Sequence, residues 1–311
     1  MKRIPLIIDT DPGHDDVVAI ILALSSPKLD VKAITTVQGN QTLDKTTRNA
    51  LRLRDFIKRD FVIAAGAAHP MITPIVTAKG HGITGLDGST MPEPVSKPSD
   101  LSAVETIAKI VEESEEPVTI CILGPCINIA TFILAYPHLL HKVKRLSIMG
   151  GGFFRGNRSP AAEMNFYADP LSAAIVFKSG IPITLFALDI TLKTGMMPED
   201  VERLGSQKDP LSQEIYRLML FYQNTHRKLG REMVPVHDAL TVAWLINPDL
   251  FELRPAYVEI DYHGRYTKGS SIVDFHDQTG KKPNVLFAIG AKREEIISMI
   301  LDGIRKIGET I

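Results

Sequence analysis

Cysteine is nearly absent from this chain. Only Cys121 and Cys126 occur in 311 residues, and two thiols do not build a disulfide framework. Both lie in or just after an apolar run, where a free cysteine behaves as a small buried hydrophobe. Tryptophan is scarcer: the one indole, Trp244, falls inside an apolar helical pattern and is expected in the core. An excess of either charge is also missing, since 35 basic residues oppose 36 acidic ones for a net charge of -1. Without a basic excess to neutralise a polyanion, no nucleic-acid partner is expected. No uninterrupted apolar run is long enough to span a bilayer, so no membrane partner is expected. The stretch from Met1 to Ile8 is too short for the apolar core of a signal peptide, and no small-residue cleavage site follows. The expectation is a cytoplasmic protein. With 44% hydrophobic and 23% charged residues, the composition is that of an ordinary globular chain.

What is present is an alternation of short β-branched runs with longer amphipathic segments. Strands are expected at Ile4–Ile8, Val31–Val37, Phe61–Ala65, Val118–Leu123, Arg145–Met149, Pro182–Ala187, Tyr257–Tyr262 and Val285–Ile289. The early ones are almost continuously apolar, as parallel strands covered on both faces are. Helical patterns cover Val17–Leu24, Asp44–Ile57 and Leu101–Glu112. The last helix is the clearest, with Ile296, Ile300, Ile304 and Ile307 at helical spacing. The pattern predicts an α/β fold with an open, mostly parallel central sheet and helices on both faces. No internal repeat or linker interrupts it, and the Pro-rich stretch Met91–Asp100 reads as a surface loop. One domain spanning 1–311 is expected. In such sheets ligands bind beyond the carboxyl ends of the strands.

The first strand runs into Asp9-Thr10-Asp11-Pro12-Gly13-His14-Asp15-Asp16. Pro12-Gly13 turns the chain back on itself. Asp15 and Asp16 then open the helix at Val17, where carboxylates are favoured as caps. Capping accounts for one or two of the four. Two carboxylates about 4 Å apart repel by roughly 4 kcal/mol at an effective dielectric near 20, so four together call for a cation or for protonation. Oxygen donors suit Ca²⁺ or Mg²⁺ better than zinc. The string Asp9-Thr10-Asp11 also resembles the opening of haloacid-dehalogenase-type phosphatases, with Asp9 as nucleophile, although Pro-Gly-His-Asp-Asp does not continue that pattern.

Further motifs follow in order: Gly39-Asn40-Gln41-Thr42, Met149-Gly150-Gly151-Gly152, Glu163-Met164-Asn165 and Val236-His237-Asp238. With the opening loop, this set resembles the inosine-uridine-preferring nucleoside hydrolase family. The segment His81-Gly82-Ile83-Thr84-Gly85-Leu86-Asp87-Gly88 leans toward its bacterial pyrimidine members. The resemblance implies a small-molecule nucleoside as partner, one Ca²⁺ per site, and a homotetramer or dimer. It implies Asp11, Asp16, Asp238 and the Leu123 carbonyl as metal ligands; relatives often have Thr at the position of Leu123. Asp11 would also take a proton from a metal-bound water. Asp238 opens the apolar helix Ala239–Ile246, so an N-cap reading stands beside the ligand reading. Asp15 and Asn40 resemble ribose contacts. So do Asn157, Glu163 and Asn165, the 5′-hydroxyl included. Met149 resembles a residue under the sugar, and Asp9 a support behind the metal.

Such chemistry stretches an N-glycosidic bond until the ribose carries positive charge. His237 is the candidate acid toward the departing base. His81, in a Gly-rich loop, is a candidate base-side residue, and His14 a loop-shaping one. Tyr222 and His226 fall in Phe221–His226, where relatives place base contacts on a mobile helix; core packing is the equal alternative for the aromatics. Purine-specific relatives sandwich the base between tryptophans, so a single Trp244 favours uridine and cytidine, with inosine an option. A catalytically silent nucleoside-binding protein remains a third reading beside the hydrolase and the phosphatase.

Overall fold

The computed structural model describes residues 2–311; Met1, the first residue of the N-terminal stretch read above, lies outside them. In chain order the first half contains β1 (Ile4–Thr10), α1 (His14–Ser25), β2 (Leu29–Thr36), α2 (Leu43–Phe56), β3 (Val62–Ala65), α3 (Ala103–Glu113), β4 (Val118–Ile122), α4 (Ile127–Ala135) and β5 (Val143–Met149). Next come α5 (Met164–Ala168), α6 (Pro170–Phe177), β6 (Ile183–Phe186), α7 (Leu188–Thr191), β7 (Gly195–Met196), α8 (Pro198–Gly205) and α9 (Pro210–Arg227). The chain ends with β8 (Val234–Pro235), α10 (Ala239–Ile246), β9 (Phe251–Asp261), β10 (Ser270–Asp274), β11 (Val285–Ala291) and α11 (Arg293–Gly308).

Nine strands form one sheet in the order β10-β9-β11-β6-β5-β4-β1-β2-β3, and β7 pairs with β8 separately. From β3 to β11 every pairing is parallel. In this sheet only β9 runs against the rest, pairing antiparallel with β11 and with the edge strand β10. The fold class is therefore the expected one. The near-continuous apolar strands have a direct cause. Leu6 and Ile8 of β1 enter the core shared with α1, α10 and α11, while Ile7 enters the core shared with α3, α4 and α6. Because side chains alternate along a strand, a strand covered on both faces needs apolar residues at every position.

Boundaries moved where polar residues were buried. β1 continues through Asp9 and Thr10, both fully buried. The edge hairpin partner β10 went unread because Ser270–Asp274 is short and half-exposed. The terminal helix packs all four of Ile296, Ile300, Ile304 and Ile307 inward. Trp244 is buried beside Phe186, with the Arg145 guanidinium 5.0 Å from its ring centre.

Both cysteines are free and buried. Burial pushes the Cys121 thiol up to about 12 and raises Cys126 as well, with Asp9 adding to the latter. The reactive species is the thiolate, so neither should react with a disulfide reagent at pH 8 in the native protein. Denaturation in guanidinium should release two thiols; rapid labelling before denaturation would contradict this placement.

Candidate active site

The parallel strands end level with one another: Asp9 stands opposite Thr35 on one side and Ile122 on the other, and Met149 opposite Phe186. The loops beyond these ends surround a cavity of about 300 Å³. Asp15, Asn40, His81, Leu123, Met149, Asn157, Glu163, Asn165, His226, His237 and Asp238 all line it. Asp11 and Asp16 do not; they lie beneath, 1% and 0% exposed.

The aspartate loop is built by its neighbours. Asp9 Oδ1 accepts hydrogen bonds from Thr35 Oγ1 at 2.5 Å and Asn128 Nδ2 at 2.8 Å. Its Oδ2 is buried and has no partner among the described residues. Burial pushes the Asp9 carboxyl up to about 7. A side chain so enclosed cannot attack a substrate, which removes the basis for the phosphatase reading. Asp16 accepts from Thr10 Oγ1, from the Gly13 N–H at 2.9 Å and from Asn40 Nδ2 at 3.1 Å. The Gly13 contact is a helix-capping bond, so the capping role is real for Asp16. Asp238 stands at the head of α10, but its side chain makes no capping bond and its backbone is already helical. Capping therefore does not explain Asp238.

Asp11 Oδ2 accepts from the Asn40 main-chain N–H at 2.6 Å, and Asn40 Nδ2 also reaches the Asp11 carbonyl at 3.1 Å. Asn40, expected on the ribose, lines the cavity, and its side-chain amide nitrogen donates to the Asp11 carbonyl and the Asp16 carboxylate. The loops approach so closely that a Cβ at Gly39 would sit 2.1 Å from Asp11 Oδ2, and one at Gly13 would sit 2.6 Å from His81 Nδ1.

One oxygen from each of Asp15, Asp16 and Asp238 falls within 4.8 Å of the others. This trio carries Asp15 where the resemblance implied Asp11. Burial is the main force raising all four carboxyls, Asp11 included, and repulsion from Asp16 adds to the rise at Asp11 and Asp15. At Asp238 the added repulsion comes from Asp15, Asp16, Asp11 and Glu163. Among the described residues no lysine or arginine forms an ion pair with any of the four. Buried carboxylates without a counter-charge are costly, and an all-oxygen donor set matches a hard divalent cation.

Glu163 caps α5: Oε1 accepts from Asn165 N–H at 2.9 Å, and Oε2 from Gly151 N–H at 3.0 Å. Burial pushes its carboxyl up to about 7. Asn165 Nδ2 donates to the Leu123 carbonyl at 2.6 Å and to the Met149 carbonyl at 3.2 Å. That fixes the Leu123 oxygen, which keeps a second lone pair. Asn157 is exposed; its Oδ1 accepts from Met164 N–H at 2.9 Å.

Opposite the carboxylates lies a wall of rings. Tyr222 stacks on His14 and His81 with centroids 5.1 and 4.9 Å away, and meets His226 edge-on. Tyr222 belongs to the core and also lines the cavity. His237 Nδ1 contacts Thr191 Oγ1 at 2.7 Å. Burial lowers His237 to about 3 and His14 and His226 to about 4, and lowers His81 too. The wall is anchored at Glu214 of α9, which is fully buried. It accepts from Ser89 Oγ at 2.6 Å and from the Thr90 N–H and hydroxyl at 2.8 and 2.7 Å. The 80s loop and α9 are thereby joined.

Of the other lining residues, Thr225 falls in the segment Phe221–His226 already marked, whereas Leu229 and Arg231 beyond it were not singled out. Asn128 did carry a signal: a lone amide in the otherwise apolar run Ile127–Ala135, and it proves to hold Asp9.

Comparison with known proteins agrees with this geometry. Residues 6–298 match the family described as inosine-uridine preferring nucleoside hydrolase. The chain is 43% identical over 306 residues to the pyrimidine-specific ribonucleoside hydrolase RihA of Escherichia coli O1:K1, covering 97% of this chain and 98% of that one. Among solved structures, a plant nucleoside hydrolase, PpNRh1, superposes with a TM-score of 0.92 at 32% identity, covering 97% of this chain and 99% of that one. A purine-preferring ribonucleoside hydrolase from Gardnerella vaginalis gives 0.92 at 26% identity, covering 99% and 100%. With its aspartate loop at the strand ends and its match along almost the whole length, the chain belongs to the inosine-uridine preferring nucleoside hydrolase family.

Proposed function

We propose that this protein, acting as a single domain over 1–311, hydrolyses the N-glycosidic bond of ribonucleosides to free base and ribose, with uridine and cytidine as preferred substrates. The observation that carries the reading is one cavity with carboxylates on one side and histidines on the other. The pyrimidine preference is supported by the identity to RihA and by the burial of Trp244 in the core, away from the cavity lining. A cytoplasmic homotetramer or dimer belongs to the same proposal.

Asp11, Asp16, Asp238 and the Leu123 carbonyl would hold a calcium ion, with Asp15 near enough to share it. When bound, such a cation lowers the pKa of a water and orients it. Asp11 accepts the proton as the water oxygen bonds to the anomeric carbon and the bond to the base nitrogen breaks. Asp15, Asn40, Glu163, Asn165 and Asn157 grip the ribose hydroxyls, Asn40 also keeping the carboxylates beneath in position, and Met149 lies under the sugar. The surrounding negative field favours a ring that turns positive. His237 donates toward the departing base, with His81 and His226 on the base side. A silent binding protein would not require the buried carboxylate cluster, whose stability cost is high.

Incubation with uridine, cytidine, inosine and adenosine should release ribose fastest from the pyrimidine nucleosides. Chelator should abolish release and added Ca²⁺ restore it; release that ignores chelation would overturn the cation's role. Asp11→Asn should lower kcat by about 10²–10⁴-fold.

Stability should move the opposite way. In chelator, Asp238→Asn should raise the melting temperature, by about 2 °C for each kcal/mol of repulsion relieved, while activity with Ca²⁺ is lost. A lower melting temperature in chelator would show that the carboxylates do not repel as described.

A further inference from the structure

Arg231 brings a fixed positive charge to a wall of aromatic and imidazole rings. Helix α9 ends at Arg227. Gly230, at φ +73°, then reverses the chain, and the Arg231 main-chain N–H donates to the His226 carbonyl at 3.1 Å. Glycine adopts that left-handed conformation without steric cost. The reversal lays Arg231 beside the end of α9, where it lines the cavity with Tyr222, His226 and His237. Its charge is felt there: burial comes first in lowering His226, and Arg231 adds to it.

Among the described residues Arg231 forms no ion pair. Two other cations line the cavity, Lys79 and Arg158, and both are exposed, whereas Arg231 is half-buried. Arg158 follows Asn157 on the ribose side, with its guanidinium 5.4 Å from the Tyr167 ring centre. Arg231 is thus the cation withdrawn from solvent on the base side.

The neighbouring imidazole cannot do the same work. His226, lowered to about 4, is neutral at pH 7. A neutral imidazole donates a hydrogen bond, but losing its ring proton would make it an anion. Negative charge arriving on a base is better met by a group that is already positive. A guanidinium stays charged under all ordinary conditions and presents its N–H groups as a planar fork.

We propose that Arg231 is a catalytic residue on the leaving-group side, whose guanidinium hydrogen-bonds the O2 carbonyl of a uracil base and holds the negative charge the base gains as it departs. This rests on the nucleoside hydrolase reading above. The water oxygen bonds to C1′ as Asp11 takes its proton. The electron pair of the C1′–N1 bond passes to the base, which leaves as the N1 anion with its charge shared onto O2 and O4. Solvent protonates the base after release, and Asp11 returns its proton to solvent. His237, His81 and His226 contribute neutral hydrogen bonds beside the guanidinium.

Two substrates test this. Uridine and 5-fluorouridine share their ribose and their carbonyls, but fluorine draws electrons from the ring and lets the departing base carry negative charge more easily. Without the guanidinium, the rate should depend more on the base's own capacity for charge. With Ca²⁺ present, Arg231→Gln should lower the single-turnover rate on uridine by about 10²-fold and raise the 5-fluorouridine-to-uridine rate ratio about 3-fold or more over the parent. Arg231→Lys, which keeps the charge, should bring that ratio back toward the parent value. No loss of rate on uridine in Arg231→Gln, or a ratio that rises less than this whatever the size of the loss, would overturn the proposal. Should the glutamine variant fold poorly, Arg231→Met, which keeps the apolar stem, decides by the same ratio. Parent protein that cleaves neither nucleoside would instead overturn the hydrolase reading, and this proposal with it.

Discussion

Mutual repulsion among buried carboxylates is the constraint around which the rest is arranged. Asp11, Asp15, Asp16 and Asp238 are all at least 96% removed from solvent, and burial alone makes each harder to ionise. Neighbouring groups spend their hydrogen bonds on keeping these side chains in place. Thr10, Gly13 and Asn40 hold Asp16, and Asn40 holds Asp11. None of these donors carries a full charge, so they orient the oxygens without neutralising them. That is the electrostatic condition of a site preorganised for a cation and for a sugar becoming positive.

The sheet makes the convergence possible. Five neighbouring parallel strands finish at one level, so the loops beyond them deliver side chains from distant parts of the sequence to a single place. Asp238 arrives from the far end of the chain, at the head of α10. At one edge β10 pairs antiparallel with β9, and its Ser271 braces the Gly152 turn from the side.

Much of this was legible in the residues. The aspartate loop announced itself because four carboxylates in eight positions have few structural explanations. Strands β1 and β4 were legible as nearly continuous apolar runs. Other features depended on three-dimensional facts. Whether Asp238 is a cap rests on its backbone angles and hydrogen bonds, which no motif encodes. That Asn40 serves the carboxylates follows from how closely the loop at Gly39 approaches Asp11. The 18-residue α9 places Tyr222, Thr225 and His226 on the cavity through its docking angle. Amphipathic periodicity locates its apolar face but not what that face overlooks.

The bond network at Glu214 divides the cavity's walls into two bodies. The carboxylate and ribose side is fastened to the strand ends; on the ring-lined side the 80s loop is tied to α9 at Glu214 and to α2 and the turn before it through Gln41, Lys45, Asn49 and Arg52. Substitutions on α9 can therefore change which base is accepted without disturbing the oxygens that face the sugar. The two sides are joined at the His14 ring, which sits on the aspartate loop and packs against α9, and at Asn49, which bonds the Pro12 and Thr84 carbonyls. A side chain exchanged on the outer turns of α9 leaves the bond-breaking oxygens where they are, whereas one exchanged at these joints is felt on both sides.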